Sequence, residues 1–186
     1  MQTFIALLRA VNVGGTGKLA MADLRALLTD LGYRNVETYI QSGNVVFDAN
    51  GKTEKIARDV TAALEKHMGA PVGVMIRTNE DVCRVIAENP FAAEAAADGA
   101  RVHACFLAGQ ALAGAKAALD GIVAKNPARR DRFHLTDHTL YLHMPDGAGE
   151  SKLSGKPLDK ALGVMATARN WNTVLKLHAM SSRAKT

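Results

Sequence analysis

Thr3-Phe4-Ile5-Ala6-Leu7-Leu8-Arg9 is the first structured run of the chain, and Asn12-Val13-Gly14-Gly15-Thr16-Gly17-Lys18 follows it closely. The run is apolar at five consecutive positions, Phe4 to Leu8. A strand with one wet face alternates apolar and polar residues, so an unbroken run implies burial on both faces of a sheet. Working outward, Met21, Leu24, Leu27, Leu28 and Leu31 recur at helical spacing, with Gly32 as the stop. Residues 36–41 and 44–48 are β-rich runs separated by Ser42-Gly43, a hairpin signal. Ile56, Val60, Leu64 and Met68 mark a second amphipathic helix, closed by Gly69 and Pro71, and residues 72–77 read as a fourth strand. The order β-α-β-β-α-β is that of a ferredoxin-like unit.

The pattern then begins again. Asn79 suits the cap of a short helix carrying Val82, Val85 and Ile86 and halted at Asn89-Pro90, and the Ala-rich residues 92–100 read as a connector. Residues 101–107 form a strand, and Leu112, Ala115, Leu119 and Ile122 mark a helix. Residues 132–136 and 139–143 pair across Asp137-His138. Pro157 suits the first position of a short helix with Leu158 and Leu162, before a short strand at 164–166. A last helix, capped by Asn170, presents Trp171, Val174, Leu175 and His178 on one face, the spacing expected of a docking stripe. The predicted fold class is α+β: two ferredoxin-like (β-α-β-β-α-β) subdomains in tandem, with an added C-terminal helix. The first subdomain takes residues 1–78, a helix and connector take 79–100, and the second subdomain with its extra helix takes 101–186. The repeat is one of element order, since no residue-level repeat is visible.

Composition bounds the function. A chain of 186 residues, 48% hydrophobic and 22% charged, can bury a core without disulfides or metals and is neither disordered nor collagen-like. No apolar run approaches the ~18 residues of a membrane span. The start, Met1-Gln2-Thr3-Phe4, lacks the pattern of a signal peptide. The expected location is therefore the cytoplasm, with Cys83 and Cys105, both in apolar surroundings, buried, reduced and not bonded to each other. The net charge of +5 is unevenly placed. Residues 151–186 hold Lys152, Lys156, Lys160, Arg169, Lys176, Arg183 and Lys185 against Asp159 alone, a net +6 on an otherwise near-neutral body. Such a segment attracts phosphates or an acidic partner, or simply keeps the chain soluble.

In the ferredoxin-like order the first and third strands are antiparallel neighbours, so the loop after Arg9 meets the turn before Asn44. Arg9, Asn12, Lys18, Gln41, Ser42 and Asn44 are thereby expected near the backbone amides of Gly14 and Gly15. Glycines permit close backbone approach, and a helix start offers unpaired N–H groups, a combination that suits an anion. The same loop also reads as a simple chain crossing. It is not a phosphate-binding P-loop, because Asn12 stands where glycine is required and Leu19 follows Lys18. Six scattered histidines, with no H-E-x-x-H and no C-x-x-C, point to neither a metal site nor a cofactor. His103 and His143 read as structural histidines on strands, and neither cysteine has a readable His or Asp partner. Gln41-Ser42-Gly43 is not a nucleophile elbow, and Asn44-Val45-Val46-Phe47 lacks the aromatic-rich strand of an RNA-recognition domain.

The run Leu7-Leu8-Arg9-Ala10-Val11-Asn12-Val13-Gly14-Gly15, then Lys18, Met21 and Leu24, then Thr38-Tyr39-Ile40-Gln41-Ser42-Gly43-Asn44-Val45-Val46-Phe47, resembles the N-terminal signature of the domain-of-unknown-function 1697 family. Leu162-Gly163-Val164 and Ala166-Thr167-Ala168-Arg169-Asn170-Trp171-Asn172-Thr173-Val174 resemble its C-terminal signature. The resemblance implies a bacterial, cytoplasmic protein of two ferredoxin-like subdomains without an assigned reaction. Three departures stand out: Ala10 where the family usually has glycine, Thr16-Gly17 where it often has Lys-Asn, and Ser154-Gly155-Lys156-Pro157 within a usually unbroken helix. Arg169, Asn170, Trp171, Thr173 and Lys176 form a second candidate set, structural or binding.

Three functions compete. The favoured one is a binding module for a phosphate-bearing partner, either a small molecule such as a nucleotide or a nucleic acid, at the glycine-rich loop. The second is a small-molecule enzyme using the same polar cluster to polarise a carbonyl or phosphoryl group, which lacks a visible general base. The third is an assembly protein whose signatures are structural.

Overall fold

The computed structural model describes residues 1–12 and 17–182. The chain folds as two compact units, residues 1–84 with those from 176 onward, and residues 85–175.

In the first unit β1 (Gln2–Leu8), α1 (Met21–Asp30), β2 (Arg34–Tyr39), β3 (Asn44–Ala49), α2 (Thr53–Met68) and β4 (Val74–Thr78) follow in order, and α3 (Asn79–Ala87) begins there. The strands form an antiparallel sheet in the order β2-β3-β1-β4. Phe4, Ala6 and Leu8 point into a core shared with Leu24 and Leu28 of α1 and with Ile56, Val60 and Leu64 of α2. The latter three lie four residues apart, so one helical face carries them all. Ile5 and Leu7, on the other face of β1, are equally buried, as the continuous apolar run predicts. Each fully buried Leu or Ile contributes about 1.5–3 kcal/mol. Gly69 ends α2 at a positive φ of 68°, a conformation in which a Cβ is strained.

The second unit repeats the order, with α4 (Ala92–Ala97), β5 (Val102–Leu107), α5 (Ala115–Ala124), β6 (Arg132–Leu135), β7 (Thr139–His143), α6 (Gly155–Leu162), β8 (Ala166–Asn170) and the start of α7 (Trp171–Ser181). Its antiparallel sheet has the order β6-β7-β5-β8. Cys105, Leu107, Leu140 and Leu142 face Leu119 of α5 and Leu158 and Leu162 of α6. The protein is therefore α+β, with two four-stranded antiparallel sheets. Among the described residues, no helix is long and apolar enough to cross a membrane.

The pairing registers expose a repeat invisible in the sequence. Ile5 pairs with Arg77 as Ala104 pairs with Arg169, and Leu8 pairs with Val74 as Leu107 pairs with Ala166. Arg77 and Arg169 thus occupy equivalent places, and each donates from Nη1 to the carbonyl of its preceding residue at 2.8 Å.

Several boundaries differ from expectation for local reasons. The Ala-rich connector contains α4, because alanine is the best helix former. Thr78, not Asn79, caps α3: the N–H of Asp81 donates to Thr78 Oγ1 and that of Thr78 to Asp81 Oδ2, a reciprocal pair. Leu112 precedes α5 and is 58% exposed. Pro157 is the third residue of α6, which starts at Gly155 after Ser154. The last strand runs from Ala166 to Asn170 rather than over 164–166, and the turn between β2 and β3 takes residues 40–43. On α7, Trp171 and Val174 are buried but Leu175 is 44% exposed, while Thr173, Leu177 and Met180 are buried. At ~100° per residue, Leu175 falls outside the arc that holds those buried residues.

Candidate functional site

The loop after β1 and the β2–β3 turn meet at one end of the first sheet, because Leu7 pairs with Asn44. Leu8 N–H donates to Gly43 O and Arg9 N–H to Gly73 O, both at 2.8 Å, so Arg9 leaves the sheet between the two neighbouring connections. Asn12 ties the loop to the turn. Its Nδ2 donates to Leu19 O and to Gln41 O, each at 2.8 Å, and its Oδ1 accepts from Leu19 N–H at 2.9 Å. Asn12 N–H donates to Gly17 O at 3.0 Å. Asn44, fully buried, donates from Nδ2 to Tyr39 O at 3.1 Å and to Ser42 Oγ at 2.9 Å. The strand directions therefore bring Arg9, Asn12, Gln41, Ser42 and Asn44 together, with Lys18 exposed on the loop and Gln41 exposed on the turn. Gly14 and Gly15 lie outside the described residues, as do Arg183 and Lys185.

The backbone here is unusually bent. Ala10, Asn12 and Ile40 have φ of 57°, 55° and 50°, and Gly17 and Gly43 have 62° and 73°. A non-glycine residue with positive φ is uncommon, and strained backbone clusters at functional sites. Gly43 is required twice over, since a Cβ there would stand 2.5 Å from Val11 Cγ2 and 2.6 Å from Leu8 Cβ.

The second candidate set divides by role. Arg169 is buried, donates to Thr167 Oγ1 at 2.9 Å, and has its pKa lowered by burial to about 10. Asn170 caps α7, its Oδ1 accepting from Thr173 N–H at 2.9 Å. Trp171 is buried and its backbone N–H donates to Gly99 O at 3.0 Å; Thr173 is buried as well. Lys176 differs: it is exposed, and its Nζ stands 5.9 Å from the ring centre of Tyr39. Tyr39 is the residue whose carbonyl accepts from Asn44. A residue near the C-terminus thus joins the loop–turn cluster, a meeting that the sequence signals only through the two signatures.

Both cysteines are free. Cys105 is fully buried, and burial pushes its pKa up to about 12. Cys83 is exposed, contrary to expectation, because α3 turns it away from the buried Val82 and Val85. It also has a histidine neighbour, His178, which the sequence separation hides.

The second unit holds a cavity of about 390 Å³ along β6 and α5, lined by Phe91, Lys116, Asp120, Arg132, Phe133 and His134 among others. Its cations are engaged within the protein: Lys116 pairs with Asp120 at 2.9 Å, and Arg132 pairs with Glu94 and lies over the Phe91 ring. Arg132 Nη2 stands 2.8 Å from His143 Nδ1. Burial, with the charge of Arg132 behind it, lowers the pKa of His143. Among the described residues, no group of three or more His, Cys, Asp or Glu side chains comes together to hold a metal ion.

No curated protein matches the chain. Among solved structures, the conserved bacterial protein SP0830 from Streptococcus pneumoniae is similar at 23% identity and a TM-score of 0.69, over 97% of this chain and 98% of that one. At that identity the likeness is one of fold. The model of DUF1697, a protein of unknown function, matches residues 1–141, which contain the loop after β1 and the β2–β3 turn, while Lys176 and the rest of the second signature lie beyond them. By that match, the chain belongs to the DUF1697 family.

Proposed function

We propose that this protein is a bacterial, cytoplasmic binding module for a phosphate-bearing ligand, a nucleotide or nucleic acid, held at the loop–turn end of the first sheet. The observation that carries the reading is the position of Lys176 over Tyr39, beside the turn that Asn12 and Asn44 hold in place. It adds a cation from one signature to a cluster built by the other. Asn12, Ser42 and Asn44 spend their polar atoms on the protein's own backbone and on each other, so their role is to shape the loop. Arg9, Lys18 and Lys176 supply the charge that a phosphate would meet. We further infer that the two units are tandem ferredoxin-like subdomains that arose by duplication. The equivalent registers at Arg77 and Arg169 support that reading.

Calorimetric titration with ATP and with a short single-stranded oligonucleotide, at low and moderate salt, tests the ligand. Salt-sensitive binding of either probe, weakened several-fold in Lys18→Ala and in Lys176→Ala, is expected. Each phosphate contact on the oligonucleotide should contribute about −0.7 to the log–log salt slope. No heat with either probe at low salt overturns the reading.

A further inference from the structure

Cys83 and His178 form a pair that the proposed ligand site does not use. Cys83 Sγ stands 3.3 Å from His178 Nε2 and 3.5 Å from Asn79 Oδ1. Both distances lie within hydrogen-bond reach for sulfur. Cys83 and Asn79 sit one turn apart on α3, and His178 sits in the last turns of α7, all within the first unit. Asn79 Nδ2 donates to Ser181 Oγ and Ser182 Oγ, both at 2.9 Å. Both serine hydroxyls in turn donate to the backbone carbonyl of His178, at 3.1 and 2.8 Å. Asn79 thus ties α3 to the end of α7 where His178 sits beside the thiol, and the sulfur is exposed. A nucleophile and a base within hydrogen-bond reach of one another is the arrangement that activates a thiol. By contrast Cys105 is sealed in the core, so the chain has one accessible thiol among its two.

We propose that Cys83 is a thiol-modification site that exchanges with low-molecular-weight disulfides, with His178 as its base and Asn79 as a positioning residue. His178 Nε2 takes the proton from Cys83 Sγ. The thiolate attacks one sulfur of the incoming disulfide, a new S–S bond forms to Cys83, and the old S–S bond breaks. The departing thiolate takes up the proton that His178 held. Cys83 is oxidised as the leaving sulfur is reduced, so the exchange needs no further oxidant. The reaction is independent of any phosphate-bearing ligand.

The test uses the full chain and oxidised glutathione. Intact-mass analysis should find one glutathione per chain, peptide mapping should place it on Cys83, and Cys83→Ser should take none. Cys83 should react at least tenfold faster than N-acetylcysteine in the same buffer. His178→Gln, with unchanged far-UV circular dichroism, should react at least about tenfold more slowly than wild type, since a positioned base contributes 10²-fold or more. A wild-type rate no greater than that of N-acetylcysteine overturns the proposal whether or not the variant folds. So does an undiminished rate in a folded His178→Gln.

Discussion

The same end of the two sheets is built from opposite materials. In the first unit Leu8 donates to Gly43 and Arg9 to Gly73; in the second, Leu107 donates to His138 and Ala108 to Met165, so the backbone frames correspond bond for bond. Around the first frame stand Asn12, Gln41, Ser42 and Asn44, with positive φ at Ala10, Asn12, Gly17, Ile40 and Gly43. Around the second, Thr136 and Thr139 close a compact turn, and no residue from 108 to 114 has a positive φ. Leu112 there donates its N–H to Leu162 O and lies over Gly163, where a Cβ would meet it at 2.3 Å. A strand pair of this kind therefore closes with one threonine hydroxyl at the turn and no positive φ in the loop. The fold does not demand the asparagine network of the first unit, whose hydrogen bonds tie the loop after β1 to the β2–β3 turn.

The other end of the sheets reverses the contrast. The residue after each capping position is Asn79 in the first unit and Trp171 in the second. Trp171→Ala empties a buried site and should cost about 3–5 kcal/mol. Asn79→Ala removes hydrogen bonds at a partly exposed place and should cost about 1 kcal/mol. Urea denaturation of both variants measures the gap. A Trp171→Ala loss below about 1 kcal/mol would make that ring a ligand-facing group and break the assignment of Trp171 to the core.

Gly43→Ala carries the next largest effect. Its Cβ would collide with Val11 and Leu8 at a φ of 73°, and overpacking plus a strained backbone together cost about 2–4 kcal/mol. In the second unit, Gly114→Ala meets nothing within 4 Å at a φ of −90° and should stay within about 0.5 kcal/mol of wild type. Equal losses in thermal denaturation would mean that the two ends are built with the same tolerance after all.

Much of the fold is legible in the sequence. An unbroken apolar run locates the strand of Phe4–Leu8, buried on both faces, and periodicity locates the helix of Ile56, Val60 and Leu64, which buries one repeating set of side chains. Topology then implies the meeting of Asn12 with the Gln41–Asn44 turn. What escapes depends on distance along the chain. Lys176 over Tyr39 and His178 beside Cys83 are contacts between helix and sheet or helix and helix that no local pattern encodes. Leu175 lies outside the buried arc of its helix because the stripe of Trp171, Val174, Leu175 and His178 fits two overlapping arcs, and only packing chooses between them. The equivalence of Arg77 with Arg169 is a matter of register, of which no sequence similarity remains.

His103 sharpens the contrast between the units by pH. It pairs with Asn170 as Phe4 pairs with Thr78, so one lattice position carries an imidazole in one unit and a buried phenyl ring in the other. His103 Nδ1 is buried and finds no hydrogen-bond partner among the described residues. Burial lowers its pKa from 6.5 to about 4. Between those values the unfolded chain binds a proton that the folded one refuses. The contribution of His103 is fully present above pH 6.5 and is lost as pH drops from there to 4, by up to about 3 kcal/mol. His103→Phe, which copies the first unit, should remove that part of the acid limb. Denaturation midpoints of wild type and variant that fall in parallel from pH 7 to 4 would show that His103 is not the group responsible.

Ala10→Gly is the smallest effect and the one that bears most closely on the loop. Ala10 has a φ of 57°, and its carbonyl would lie 3.3 Å from a Cβ placed on Gly17. A left-handed conformation costs an L-residue about 1–2 kcal/mol, which glycine does not incur. Glycine also frees the unfolded chain, which returns up to about 1 kcal/mol of that gain. The net expectation is a stabilisation of about 0.5–1 kcal/mol, or roughly 2 °C in melting temperature for a chain of this size. Its sign opposes the usual effect of an alanine-to-glycine change, so it cannot come from a generic loosening. The same substitution at Ala108, the second-unit counterpart of Arg9 and a residue without a positive φ, should be neutral or destabilising. On that outcome this chain holds its loop against a backbone penalty at Ala10 that the asparagine network offsets. A lower melting temperature for Ala10→Gly would mean that the bend at position 10 carries no strain, and the distinction between the two sheet ends would rest on the side chains alone.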